Sequence, residues 1–221
     1  MLDVFDLLPL LLTGAVVTVQ ITVMGGALAL VMAFAAGLGR LSRSAPIRWL
    51  STVYVEFFRG TSALIQLFWL FYALPLLGVS LDPMVAAVIG LGLNIGSYGA
   101  EVVRGAVLAV PRGQYEAARA LGFSRAQMLR RILVPQAIPA MVPPFGNLWI
   151  ELLKATALVS LITLGDLTFQ AQMLRTATLQ TPLIFGTVLF IYFALAMVMV
   201  FIIRRIERRV GRGLDRGGMR T

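Results

Sequence analysis

Apolar residues run along this chain in long stretches, separated by short polar or basic segments. A helix needs roughly 20 apolar residues to cross the hydrocarbon core of a bilayer. Five stretches meet that length, at about 9–38, 49–78, 84–108, 137–165 and 183–203. The pattern therefore predicts an all-α integral membrane fold of five transmembrane helices, forming one transmembrane domain over 1–221. The first, second and fourth stretches are longer than a crossing requires, so tilt or an interfacial end is expected for them.

The pattern breaks at 111–135, and residues 114–135 are polar, basic and helix-forming. Gln114 to Leu121 reads as a short helix rich in Ala, Glu, Arg and Leu. Gly122 follows where a helix stops in the left-handed conformation. Ser124 and Gln127 have the spacing of a capping box that opens a second helix, expected to run to about Leu133 and to end at Pro135. Ala117, Ala118, Ala120, Leu121, Phe123 and Met128 give this island an apolar surface, and Arg119, Arg125, Arg130 and Arg131 decorate the rest. A small-residue helix with a protruding Phe suits a groove on a partner protein. An interfacial helix on anionic lipid has the same composition, and the residues alone leave both open.

Composition agrees with the membrane class, with 59% of residues hydrophobic and 13% charged. There is no Cys and no His, which removes disulfides, thiolate metal sites and the commonest general base. The net charge of +9 is concentrated in particular loops, so it reports topology and not a nucleic-acid footprint. Arg40, Arg43 and Arg48 follow the first stretch, and Arg104 to Arg131 supply the loop after the third. The 204–221 tail holds Arg204, Arg205, Arg208, Arg209, Arg212, Arg216 and Arg220. The alternate loops are almost free of basic residues, which predicts an outside N-terminus and a cytosolic C-terminus. The tail reads as a lipid-facing anchor for the last span. Asp3 and Asp6 precede the first stretch and no Lys or Arg does, which is wrong for a cleaved signal, so the first span is expected to stay.

No repeat is visible, which weakens an inverted-repeat carrier. There is no GxxxxGK[ST] loop, and the one lysine, Lys154, lies inside a span. Active transport would draw its energy from another subunit.

The motifs, taken together, resemble a known family. Glu116-Ala117-Ala118, Gly122, Ile132 and Val134-Pro135 resemble the EAA loop of ATP-binding-cassette importer permeases, with Val134 where leucine is usual. Thr18-Val19-Gln20-Ile21-Thr22 resembles the family's first-span segment, and Glu56-Phe57-Phe58-Arg59-Gly60-Thr61 with Gln66 its second-span signature. Tyr98 to Ala106, Gly113 to Glu116, Pro143 to Asn147 and Leu152 to Ser160 follow in the family's order. The resemblance covers about residues 14–168 and points to the polar amino acid branch. It implies a MetI-like type I core paired with a second permease, either the same or a sister chain. Two ATPase subunits binding ATP and Mg, and an extracytoplasmic solute-binding protein, would complete a transporter in the bacterial cytoplasmic membrane. The chain itself would carry no cofactor and no catalytic residue. The 111–135 loop would be the coupling element, with Glu116, Ala117, Ala118, Gly122, Phe123 and Pro135 meeting the ATPase.

Two departures bear on the solute. Ser62-Ala63 stands where the family usually has Pro-Leu, and Lys154-Ala155-Thr156-Ala157-Leu158 stands where Lys-Asp-Thr-Ser-Leu is usual. Both variants resemble the ectoine/hydroxyectoine permeases. Loss of the acid at 155 disfavours a cationic amino acid and fits a zwitterionic compatible solute.

Three acid–base pairs share the i,i+3 spacing that places side chains on one helix face: Glu56/Arg59, Glu101/Arg104 and Glu151/Lys154. Pairing and inter-helix bridges account for the first two, since an unpaired charge in lipid is costly. Glu151 and Lys154, with Thr156 and Ser160 expected on a similar face, either border the translocation path or cement the permease dimer. Asn94 and Trp69 are further candidates for the path, and Gly92, Gly96 and Ala100 form a small-residue ridge for close packing. Two rival functions remain at this point. A passive channel or proton-coupled carrier predicts a dispensable 114–135 loop, and a non-transporting scaffold predicts no solute path.

Overall fold

The computed structural model describes residues 4–211, all of whose regular elements are helical. Helix α1 (Val4–Gly39) is followed by α2 (Ala45–Gly60) and α3 (Ala63–Phe68), which continues as a π turn over Trp69–Ala73 and a 3-10 turn over Leu74–Leu77. Then come α4 (Pro83–Leu108), α5 (Arg112–Ala120) and α6 (Arg125–Met128). A π turn at Leu129–Leu133 joins α6 to α7 (Val134–Ala155), which ends in a 3-10 turn at Thr156–Ile162. Helices α8 (Leu167–Thr178) and α9 (Thr181–Gly211) complete the order. Arg212, Arg216, Arg220 and Asp3 lie outside the described residues.

Among the described residues four helices are long and apolar enough to cross a membrane, or five if one bent pair counts as a span. That pair is the expected second span. It is not one rod over 49–78, because α2 and the helix from Ala63 to Leu77 meet at 104°. The fourth span also differs from expectation. Pro135 does not end the second island helix, which runs on from Arg125 to Ile162. The π turn before Pro135, with the Val134 amide donating to Leu129, loosens the ladder at the point where proline supplies no donor.

The centre of the molecule is α1 packed along α4. Glycines make that approach possible. A Cβ on Gly92 would lie 2.9 Å from Leu28, and one on Gly99 would lie 2.7 Å from the Ala33 Cβ. Toward the basic end a Cβ on Gly37 would lie 2.7 Å from the Ala100 carbonyl oxygen. The expected ridge at Gly92, Gly96 and Ala100 is thus a packing surface, where small residues let backbones touch. At the other end, Asp166 caps α8 by accepting from the Thr168 amide at 3.1 Å and the Phe169 amide at 3.0 Å. The Thr18 hydroxyl accepts from the Leu167 amide at 3.2 Å, which ties α8 to α1. Asp166 is fully buried, and burial pushes its carboxyl up to about 6 against the pull of those amides. Helix α9 turns Leu189, Phe190, Phe193, Val198 and Phe201 outward.

Candidate functional site

Two regions gather the residues the sequence singled out. The first is the basic helix–turn–helix between α4 and α7. Helix α5 stops at Gly122, whose φ is 74°. The Gly122 amide donates to the Arg119 carbonyl at 3.0 Å and the Phe123 amide to the Ala118 carbonyl at 3.1 Å. Those two bonds make a Schellman turn. The capping box opens α6 as expected, with the Ser124 amide donating to Gln127 Oε1 at 2.9 Å and the Gln127 amide to Ser124 Oγ at 3.4 Å.

The turn decides which face is available. Ala118 is only 1% exposed, and packs with Met128, Leu133 and Ala137 against Val103 and Val107 of α4 and Ala33 of α1. Phe123 packs against the same cluster instead of protruding. This corrects the expectation for both residues, which face their own chain. The protruding apolar side chain is Leu121, 76% exposed at the tip of the turn. The signal for this exchange was present in the sequence, because a Schellman turn brings its second residue past the cap, here Phe123, onto the helix residue at Ala118. Gln114, Glu116, Ala117, Arg119 and Ala120 of α5 are exposed, as are Gly122 and, at the start of α7, Pro135.

The second region is the break between α2 and α3. The Phe58 carbonyl, at the end of α2, accepts from Gln66 Nε2 at 3.1 Å and from Asn94 Nδ2 at 3.0 Å. Gln66 Nε2 also lies 2.6 Å from Thr61 Oγ1, and Asn94 Nδ2 donates to Gln66 Oε1 at 3.2 Å. Asn94 and Gln66 are buried, so Asn94 clamps the bend instead of standing open to a pore. Gln66 and Thr61 were missed as partners. The signal for them was an amide inside an apolar stretch, opposite another amide. Arg59, Gly60, Thr61 and Ser62 are exposed at the bend, with the Arg59 guanidinium 5.4 Å from the centre of the Tyr98 ring. Trp69 is half exposed beyond it.

The charged residues pair differently from their spacing. Glu101 does bridge Arg104 at 3.0 Å. Glu56 does not meet Arg59, since its partner is Arg40, just past the end of α1, at 3.4 Å, and Arg40 also binds Glu101. Glu151 and Lys154 are both exposed on α7 and form no ion pair with each other. Thr156 and Ser160 do not share that face. Both are buried, and their hydroxyls donate to the Leu153 and Ala157 carbonyls at 2.6 and 2.8 Å. The change from α to 3-10 winding at Thr156 alters the angular step between residues and carries these two inward.

The chain and its fold have counterparts among known proteins. Residues 25–212 match the family described as binding-protein-dependent transport system inner membrane component. The chain belongs to this family. It is similar to a probable amino-acid ABC transporter permease protein, y4tF, of Sinorhizobium fredii, at 49% identity over 217 residues, covering 96% of this chain and 91% of that one. It is 37% identical over 205 residues to the L-cystine transport system permease protein TcyB of Bacillus subtilis, covering 92% and 88% of the two chains. Among solved structures, an amino acid ABC transporter crystallised with histidines superposes with a TM-score of 0.86 at 32% identity, covering 95% of this chain and 99% of that one. The chain is thus a multi-pass inner-membrane permease subunit of an amino-acid ABC importer, a transport component and not an enzyme.

Proposed function

We propose that this permease carries a zwitterionic, amino-acid-like compatible solute, ectoine or hydroxyectoine, into the cytosol by alternating access. ATP is hydrolysed by two separate ATPase subunits docked on the 112–135 helix–turn–helix, with an extracytoplasmic binding protein delivering the solute to a pair of permeases. The observation that carries the docking is the Schellman turn. It fixes a bare face of Glu116, Ala117 and Ala120 beside the exposed Leu121, at the end of the molecule that bears the arginines. A small-residue face with one apolar tip fits a groove, and preorganisation by the turn lowers the ordering cost of binding. Glu116→Lys and Leu121→Glu are expected to abolish co-purification of the cognate ATPase from the assembled transporter. Retention of the ATPase and of ATP-driven uptake in both variants would remove the docking reading.

The solute reading rests on Ser62-Ala63 at the exposed break and Ala155-Thr156-Ala157 at the foot of α7. Titration calorimetry on the cognate binding protein is expected to give ectoine or hydroxyectoine a Kd at least tenfold below that of arginine, glutamine or cystine. Tighter binding of any of those three would replace the assignment. In this reading the path runs along the break, Trp69, Glu151 and Lys154, and what supports it is that all of these are exposed. Asn94, Thr156 and Ser160 are buried and would act on the path only through their neighbours. Unchanged uptake affinity and rate in both Glu151→Gln and Lys154→Met would assign that pair to the permease dimer instead.

A further inference from the structure

Arg40 has no part in docking or in the solute path, yet it pairs with carboxylates on two different helices. It lies one residue past the end of α1, and its side chain is 16% exposed. One guanidinium nitrogen binds Glu101 of α4 and the other lies 3.4 Å from Glu56 of α2. Glu101 uses its second oxygen for Arg104, at 3.1 Å from Nε and 3.0 Å from Nη2. Two arginines and two carboxylates thus form a neutral cluster across the ends of three helices. The next residue carries the other connection. The Leu41 carbonyl accepts from Arg125 Nη2, at the start of α6, at 2.6 Å.

Residues 40 and 41 therefore join the helix–turn–helix to two different helices through adjacent positions of the hydrogen-bonded turn that ends α1. Below them α1 and α4 approach closely, since a Cβ on Gly37 would lie 2.7 Å from the Ala100 carbonyl oxygen. The Arg40–Glu56 contact is different in kind. Glu56 is 62% exposed, and α2 is the arm that leads to the 104° bend. An ion pair this exposed is weak, which suits a contact made and broken in a cycle better than a permanent brace.

We propose that Arg40 is a positioning residue for coupling. It transmits displacement of the helix–turn–helix, through the Arg125–Leu41 bond and the Glu56 pair, to the upstream arm of the broken span. This rests on ATPase docking at the helix–turn–helix. A guanidinium is required because one planar fork must serve two carboxylates on different helices, which an ammonium does poorly.

The test uses the complete transporter, permease with its ATPase, in proteoliposomes. The chain has no Cys, so Ser62→Cys places a single thiol at the exposed bend. Its labelling rate with a membrane-impermeant maleimide is measured nucleotide-free and after trapping with ATP and vanadate. With Arg40 intact, trapping is expected to change the rate at least fivefold. In Arg40→Met the ATPase stays bound and still traps nucleotide, but the change falls below twofold. Arg40→Lys restores an intermediate response. Should Arg40→Met fail to assemble, Glu56→Gln cuts only the arm to the broken span and is expected to reduce the response at least twofold. A labelling rate that ignores nucleotide with Arg40 intact overturns the proposal, as does an undiminished response in Arg40→Met or, if that fails to assemble, in Glu56→Gln. Loss of bound ATPase in Glu116→Lys reports on docking alone, so the two readings fail separately.

Discussion

The helix–turn–helix at 112–135 and the bend at 60–62 are both departures from a straight span, and they are held by different means. The first is built from its own neighbours. Gly122, Ser124 and Gln127 satisfy the orphan backbone groups of α5 and α6 within a few residues. The bend is built from a distance. The Phe58 carbonyl is satisfied by Gln66 on the far arm and Asn94 on another helix. In lipid an unsatisfied carbonyl has no water to turn to, so a broken span survives only where protein supplies the donors. Local closure gives the first region its own shape while its buried side rests on α1 and α4, which suits a part that meets another subunit with its outer side. Remote closure ties the second to α4, which suits a part that must respond when the bundle moves.

The largest expected effect is therefore at the bend. Gln66→Leu removes the donor shared by the Phe58 and Thr61 oxygens and strips Asn94 of its acceptor. A cost of about 3 kcal/mol is expected, read as lowered thermal stability of the purified permease in detergent. Asn94→Leu alone leaves Phe58 its Gln66 donor and costs less. The double variant leaves the carbonyl bare, and its cost exceeds the sum of the two single ones. Additive losses would mean the two amides act independently and the bend has no shared clamp.

Asp166 is an intermediate case, a local cap desolvated by remote packing. Its folded pKa, about 6, lies above the ordinary carboxylate value. The stability it contributes is full below about pH 4 and is lost as pH rises through about 6. Asp166→Asn, which cannot titrate, is expected to gain on the unmodified protein by of order 2 kcal/mol between pH 4 and pH 7. A trend of the opposite sign would mean that the two amides outweigh burial.

Gly122→Val comes next, at about 2 kcal/mol. No atom lies within 4 Å of a Cβ there, so the cost is the left-handed backbone alone. Gly122→Asn should recover most of it. If Asn is as damaging as Val, the glycine is needed for close approach of a partner and not for its φ.

Legibility in the sequence follows the same division. Spans, the Schellman glycine, the capping box and the small-residue ridge were readable because each is decided by residues a few positions apart. The 104° bend was not, because Arg59-Gly60-Thr61-Ser62 carries no proline and the donors that permit it lie up to 36 residues away. Charge spacing misled for the same reason. The i,i+3 rule found Glu101–Arg104, but Glu56 pairs with Arg40 in the turn after α1, and Glu151 and Lys154 share only an exposed face.

The smallest expected effect bears on the local rule for proline, which also failed. A proline in a helix interior costs about 3 kcal/mol relative to alanine because it clashes with the preceding turn and lacks a donor. On that rule Pro135 closes the island and separates it from α7. Instead the chain continues through a five-residue π turn into α7. Five-residue hydrogen bonding widens the turn where the ring must fit, so most of that cost is already absent. Pro135→Ala is expected to change stability by only about 0.5 kcal/mol and to leave ATPase association intact. A gain near 3 kcal/mol would mean that the proline strains an ordinary α-helix. A loss of association would mean that Pro135 sets the angle between the helix–turn–helix and the bundle, and local chemistry would then govern coupling as well as shape.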